Sequence, residues 1–171
     1  MPERINALGL IDGLWAQTSD AEQAPAQIAS SLRAEHQQKP VRFYASLDEM
    51  VVQRQRHGFP VSMDAARCLT QRNAVQRSDG QWGWRTDARL RMPSMMRLTP
   101  GQMDACHRAI SAPTELRLAE QGVVRAYPDY AERLLALPQI SWAVHAGGHH
   151  LHMEGAQSIL GRAYNTFFQR L

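Results

Sequence analysis

Near the C-terminal end of the sequence, GGHHLHME, residues 147–154, places three histidines and a glutamate within eight positions. Imidazole titrates near neutrality and is also a common metal ligand, so the stretch suits a metal cluster, a single general base with bystanders, or a polar turn. His149 and His152 are three residues apart, which on a helix would put both rings on one face, with Glu154 as a third, oxygen ligand. Against a metal stand the preceding glycine pair, which favours a loop at His149, and the absence of an HExxH motif or a Cys/His partner set elsewhere. No metal and no cofactor is expected. Cys68 and Cys106 show no CxxC spacing, lie inside helix-like patterns and read as small core residues.

The elements around this stretch follow from periodicity and punctuation. INALGLID, residues 5–12, is a short apolar run ending in Asp-Gly and reads as a buried strand. From Asp20 to Arg77 the pattern is helical. One helix is expected over Ala21–Gln38, a second behind the capping box Ser46–Glu49, and a third capped by Ser62. Residues 78–94, SDGQWGWRTDARLRMPS, break that period with an Asp-Gly turn and two tryptophans, predicting an extended or hairpin segment. Thr99 and Pro100 open a further helix to about Ile110. The last third alternates: strand 113–119, helix 128–138 started by Pro128, strand 140–146, then a closing helix with Ile159, Leu160, Ala163, Tyr164, Phe167, Phe168 and Leu171 on one face. Strand–helix–strand–helix order implies parallel pairing through right-handed crossovers, an α/β class.

Composition narrows the partners. With 171 residues, 44% of them apolar, the sequence is long enough for a substantial core. The net charge of +3 is almost all spread arginine, without the basic stripe of a nucleic-acid binder. No apolar run reaches the roughly 20 residues of a membrane helix, and MPERINALGLIDG lacks the features of a signal peptide. A cytoplasmic protein that binds neither nucleic acid nor membrane is expected.

A strand ending in Asp, a helical insertion, a strand introduced by "ISAPT", a helix, a strand, and then Gly-His before a closing helix resembles the C-terminal half of the α/β-hydrolase superfamily, in its serine hydrolase-like branch. The resemblance covers essentially the whole sequence. It implies a partial α/β-hydrolase fold of about three parallel strands, the family's strands six to eight, with flanking helices. It divides the sequence into residues 1–13 (first core strand), 14–98 (helical cap) and 99–171 (C-terminal core). It implies hydrolysis of an ester or related acyl or alkyl bond by a Ser-His-acid triad, with a small ester-like substrate. Trp82, Trp84, Met92, Met95 and Met96 would offer an apolar surface to the acyl group, or form plain cap core.

By the same resemblance His149 is the catalytic base, following a glycine after strand eight, with Glu154 at the start of the last helix. His150 and His152 then fall in the turn into that helix, and His145 is a structural histidine within the strand. The acid departs from the family pattern, because Gly122 stands where the usual Asp would be. Asp12, ending strand six, is the preferred orienter and Glu120, in the loop after strand seven, the alternative. The nucleophile is not apparent: none of the ten serines has glycine at both −2 and +2, as a G-x-S-x-G elbow requires. Met1-Pro2-Glu3-Arg4-Ile5 matches a phrase the family carries just beyond that elbow, so the expectation is a chain inactive alone and completed by an N-terminal half. Two other readings stay open, a non-catalytic remnant that binds a partner and a His-cluster metal-binding domain. An exposed edge on strand six predicts self-association. Glu115 and Arg117 sit oddly in a strand expected to be covered on both faces.

Overall fold

A computed structural model describes residues 2–37, 40–127 and 129–171. The chain divides into two compact units, Met1–Ala16 with Gln102–Leu171, and Gln17–Gly101. The first holds β1 (Leu8–Ile11), most of α4 (Pro100–Arg108), β4 (Thr114–Gln121), α5 (Tyr130–Leu135), β5 (Ile140–Gly148) and α6 (Gln157–Phe168). The second holds α1 (Ala24–His36), α2 (Leu47–Arg56), α3 (Met63–Asn73), β2 (Ala74–Gln76) and β3 (Trp82–Trp84).

Three strands form one parallel sheet in the order β1-β4-β5, Leu8 pairing with Thr114 and Thr114 with Ile140. The strands alternate their side chains between two faces. Leu116 and Leu118 point to one, where they pack with Val124, Leu134, Leu137 and Ile140. Ala119 joins Leu151, Ala156 and Leu160 in a second cluster, against which Tyr164 packs. Glu115 and Arg117, on the same face as Ala119, bond to each other, with side-chain exposures of 11% and 19%. The charged pair in a central strand is therefore mutual and largely buried, and neither charge is left alone in the interior.

α6 meets the sheet at β1. Tyr164 donates its hydroxyl to the Leu10 carbonyl, and burial raises its pKa to about 12. Gly9 makes room for the approach: a Cβ there would lie 3.0 Å from Tyr164 and 3.1 Å from Phe168. The expected apolar face of α6 is only partly covered, with Leu160 buried while Ile159, Phe168 and Leu171 are 47%, 50% and 60% exposed. The helical period marks a face correctly but carries no information on how much of it finds a neighbour.

In the second unit Ser46 Oγ accepts the Glu49 N–H, and Glu49 returns a bond from the Ala45 N–H, opening α2. Ser62 caps α3 through the Ala65 N–H. β2 and β3 pair antiparallel across Ser78-Asp79-Gly80, where Gly80 has φ 82° and Asp79 accepts the Gln81 N–H. Tyr44, Met50 and Ala74 form the core with Trp82 and Trp84 against them. The two ends of the unit are tied by a hydrogen bond from Ser19 N–H to the Leu98 carbonyl, 3.1 Å.

Several expectations are corrected. The strand begins at Leu8, three residues later than Ile5. The helix expected from Ala21 opens with a 3-10 turn and becomes α-helical at Ala24; Gln38, its expected end, and Pro128, the expected start of α5, lie outside the described residues. The hairpin takes Ala74–Gln76 away from the preceding helical run, and residues 88–91 form a 3-10 turn. Both cysteines are exposed, not core. Cys68 lies off the α3 stripe buried through Ala65, Ala66 and Thr70, and Cys106 off the Met103–His107 stripe of α4.

Candidate functional site

Parallel pairing brings the C-terminal ends of β1, β4 and β5 to one edge of the sheet, and the chemistry-bearing residues lie there. Asp12 follows β1, its N–H donating to the Arg117 carbonyl at 2.7 Å. It is fully buried and has φ 44°, the left-handed region that aspartate tolerates better than most residues. This backbone turn aims the carboxylate across the end of β4. There Oδ1 accepts the Ala119 N–H at 3.0 Å and Oδ2 the Val123 N–H at 2.9 Å. Oδ2 also lies 2.8 Å from His149 Nδ1. A carboxylate can only accept, so Nδ1 carries the proton and the imidazole lone pair sits on Nε2.

His149 is delivered by the glycines before it. β5 ends at Gly148, and Gly147 has φ 123°, a conformation side-chain-bearing residues rarely adopt, so the chain leaves the sheet in a turn that swings the ring toward Asp12. The His149 side chain is 26% exposed, against an Asp12 carboxylate that is fully buried.

Gly122 is the third part of this arrangement. A Cβ at residue 122 would lie 2.1 Å from Asp12 Oδ1 and 2.3 Å from Oδ2. The Asp12 carboxylate therefore fills the space into which a side chain at 122 would project. Its role as a spacer, and those of the Ala119 and Val123 amides as donors, were not apparent from the sequence. The signal was there in one respect, since the glycine occupies the very position at which an acid was looked for.

Glu120, the alternative acid, is exposed, and its contact is through its main-chain carbonyl, which accepts from Arg125 at 3.0 Å. The structure does not bring it to the imidazole. The His150 ring lies tilted beside His149, centroids 4.9 Å apart, and meets His152 edge-on at 5.7 Å, around a 3-10 turn over Leu151–Met153. Glu154 ends that turn, and α6 begins only at Gln157, so Glu154 does not start the last helix. Among the described residues no group of three or more His, Cys, Asp or Glu is placed to hold a metal ion. His145 lies on β5 with Nε2 3.5 Å from Arg117 Nη1, and burial, then the Arg117 charge, lower its pKa.

The segment leaving Asp12 is held from behind by α4. His107, 5% exposed, donates Nε2–H to the Leu14 carbonyl at 3.1 Å and meets Trp15 edge-on. Burial, reinforced by the Arg133 charge, lowers the His107 pKa from 6.5, against smaller raising contributions from the Leu14 carbonyl and Asp104. A histidine with a depressed folded pKa stabilises above its unfolded pKa and loses that contribution as the pH falls through the folded value. The urea midpoint is accordingly expected to drop between about pH 7.5 and about pH 5.5, and to drop less in His107→Gln; an equal drop in both proteins would remove His107 from this account.

No protein-family model and no curated protein matches the sequence. Solved structures do. A hypothetical protein of Pseudomonas aeruginosa PAO1 is 37% identical with a TM-score of 0.92, over 98% of this chain and 60% of that one. The thioesterase domain from the curacin biosynthetic pathway is 20% identical, TM-score 0.74, over 96% of this chain and 59% of that one. A Mycobacterium tuberculosis esterase is 19% identical, TM-score 0.62, over 97% and 55%. The chain thus spans less than two thirds of the length of these structures, the more distant of which are alike in fold alone.

Proposed function

On the premise that this chain has a partial α/β-hydrolase fold, we propose that it supplies the base and the orienting acid of a hydrolase of ester or related acyl bonds, with a serine nucleophile provided by an N-terminal half. The observation that carries this reading is the 2.8 Å contact of His149 Nδ1 with a buried Asp12 carboxylate fixed by two main-chain amides. The Asp12 bond holds the tautomer in which Nε2 can take a proton from a serine hydroxyl and return it to the leaving group. Loss of such an orienting acid lowers turnover by about 10⁴ in a well-studied serine protease triad. The unit from Gln17 to Gly101, inserted between β1 and β4, is assigned as the cap insertion of the fold.

A second reading, partner binding without catalysis, is favoured by the free side of β1, which among the described residues pairs with β4 alone and leaves Ile11 38% exposed. The two separate in one experiment. The 171-residue chain is treated with a serine-directed phosphonate, alone and joined to an N-terminal α/β-hydrolase half that carries a G-x-S-x-G elbow. The expected results are no stoichiometric adduct alone, an adduct in the fusion, and a loss of about 10³-fold or more in ester hydrolysis by the fusion on His149→Ala. An adduct on the chain alone, or full activity of the His149→Ala fusion, overturns the catalytic reading.

A further inference from the structure

The charged residues of β4 face a feature that the hydrolase reading does not use. A concavity of about 320 Å³ lies between β4 and α6, lined by Glu115, Arg117, Arg162, Thr166, Phe167 and Arg170 among others. It belongs to the sheet face that carries Ala119, whereas Asp12 and His149 gather at the strand ends. Arg162 and Thr166 are four residues apart and share one stripe of α6, and Arg170 follows just beyond the C-terminal end of the helix. Both arginines are exposed and neither forms an ion pair among the described residues. Arg117 enters from the sheet. One of its terminal nitrogens is taken by Glu115, while its Nε is buried and has no partner among the described residues.

Three arginines therefore converge on one concavity against one glutamate, which already serves Arg117. A position at the C-terminal end of α6 accounts for Arg170 through the helix dipole, but not for Arg162 in mid-helix or for Arg117 on the strand. Guanidinium groups offered from two elements, Arg117 from β4 and Arg162 and Arg170 from α6 and its end, with the Thr166 hydroxyl between the last two in sequence, match an acceptor with several oxygens in different directions. A planar carboxylate is served by a single bidentate arginine. We propose that this pocket binds an oxyanion of the phosphate class, either free phosphate or the phosphate group of a small monoester, for whose organic part the volume leaves room.

The test is calorimetric titration of the full chain at constant ionic strength set with chloride, using inorganic phosphate, phenyl phosphate and acetate. Saturable binding of phosphate or its ester is expected, with acetate at least about tenfold weaker and a loss of about tenfold or more in Arg162→Gln/Arg170→Gln. Both arginines are exposed, so this pair leaves folding intact, which far-ultraviolet circular dichroism verifies. A charge-matched control, Arg72→Gln/Arg91→Gln on the other unit, is expected to bind as the parent does. Tighter phenyl phosphate assigns the monoester and tighter inorganic phosphate the free ion. Absence of saturable binding, equal affinity for acetate, or an equal loss in the control pair overturns the proposal, the last because it reports diffuse charge.

Discussion

Asp12→Asn is expected to lower stability by about 3 kcal/mol and to shift the proton of His149 from Nδ1 to Nε2. The wild-type carboxylate is fully buried and accepts from Ala119, Val123 and His149. An asparagine has one accepting oxygen and one donating nitrogen. If its oxygen keeps Ala119, its amide meets the Val123 N–H and the imidazole, donor against donor. Each buried donor left unsatisfied costs about 1–3 kcal/mol. The left-handed backbone at residue 12 suits asparagine as well as aspartate, so backbone strain does not contaminate the comparison. For a chain of this length the loss corresponds to a fall of about 6–12 °C in Tm. At His149 the asparagine amide can donate only to an unprotonated Nδ1, which moves the ring proton to Nε2 and removes the basic lone pair from that nitrogen. Nitrogen-15 NMR of the imidazole reads the tautomer directly. A protein with unchanged Tm and an unchanged tautomer would show that Asp12 does not hold this ring.

Gly122→Ala is expected to be at least as damaging, although it adds a single methyl group. No positive φ is associated with Gly122, so alanine meets no backbone obstacle; the whole penalty is the collision at 2.1 Å with Asp12 Oδ1. Overpacking typically costs about 1–3 kcal/mol. Here the obstructing atom is a carboxylate oxygen, whose displacement also breaks its bonds to two amides and His149, so about 3–4 kcal/mol is expected. The diagnostic is a double-mutant cycle. In an Asp12→Ala background the carboxylate is gone and Gly122→Ala should cost less than about 1 kcal/mol, giving a coupling of about 2–3 kcal/mol. Additive losses would mean that residue 122 yields without disturbing Asp12.

The sheet was legible because its strands are short apolar runs separated by helical patterns, and strand–helix alternation leaves little choice but parallel pairing. Its ends were less so. β4 and β5 each continue two residues past their last expected position, to Gln121 and Gly148, because pairing with the neighbouring strand extends a strand into polar and glycine residues with no β preference of their own. Burial was read least well. Cys68, Cys106, Phe168 and Leu171 are apolar residues on the outside, and sequence period shows which residues share a face without showing what stands opposite. At the site, GGHHLHME pointed to a histidine at a strand end, but Asp12, just after β1, and Glu120, within the last residues of β4 and not in the loop expected for it, both lie at the same edge. What pairs the ring with Asp12 is the left-handed turn at Asp12 and the space left by Gly122, and neither is a property of a residue type alone.

The hydrogen bond between Ser19 and Leu98 bears on the time the fold takes to form. Pairing Leu8 with Thr114 closes a loop of about a hundred residues, and long-range parallel pairing of this kind is slow. Once residues 17–101 have folded with their ends tied together, the flexible chain between the two strands shortens to about 25 residues. The closure entropy then falls by about 1 kcal/mol, roughly a fivefold faster search for the partner strand. The inserted unit thus acts on the kinetics of the sheet it interrupts: formed first, it brings β1 and β4 within reach of each other.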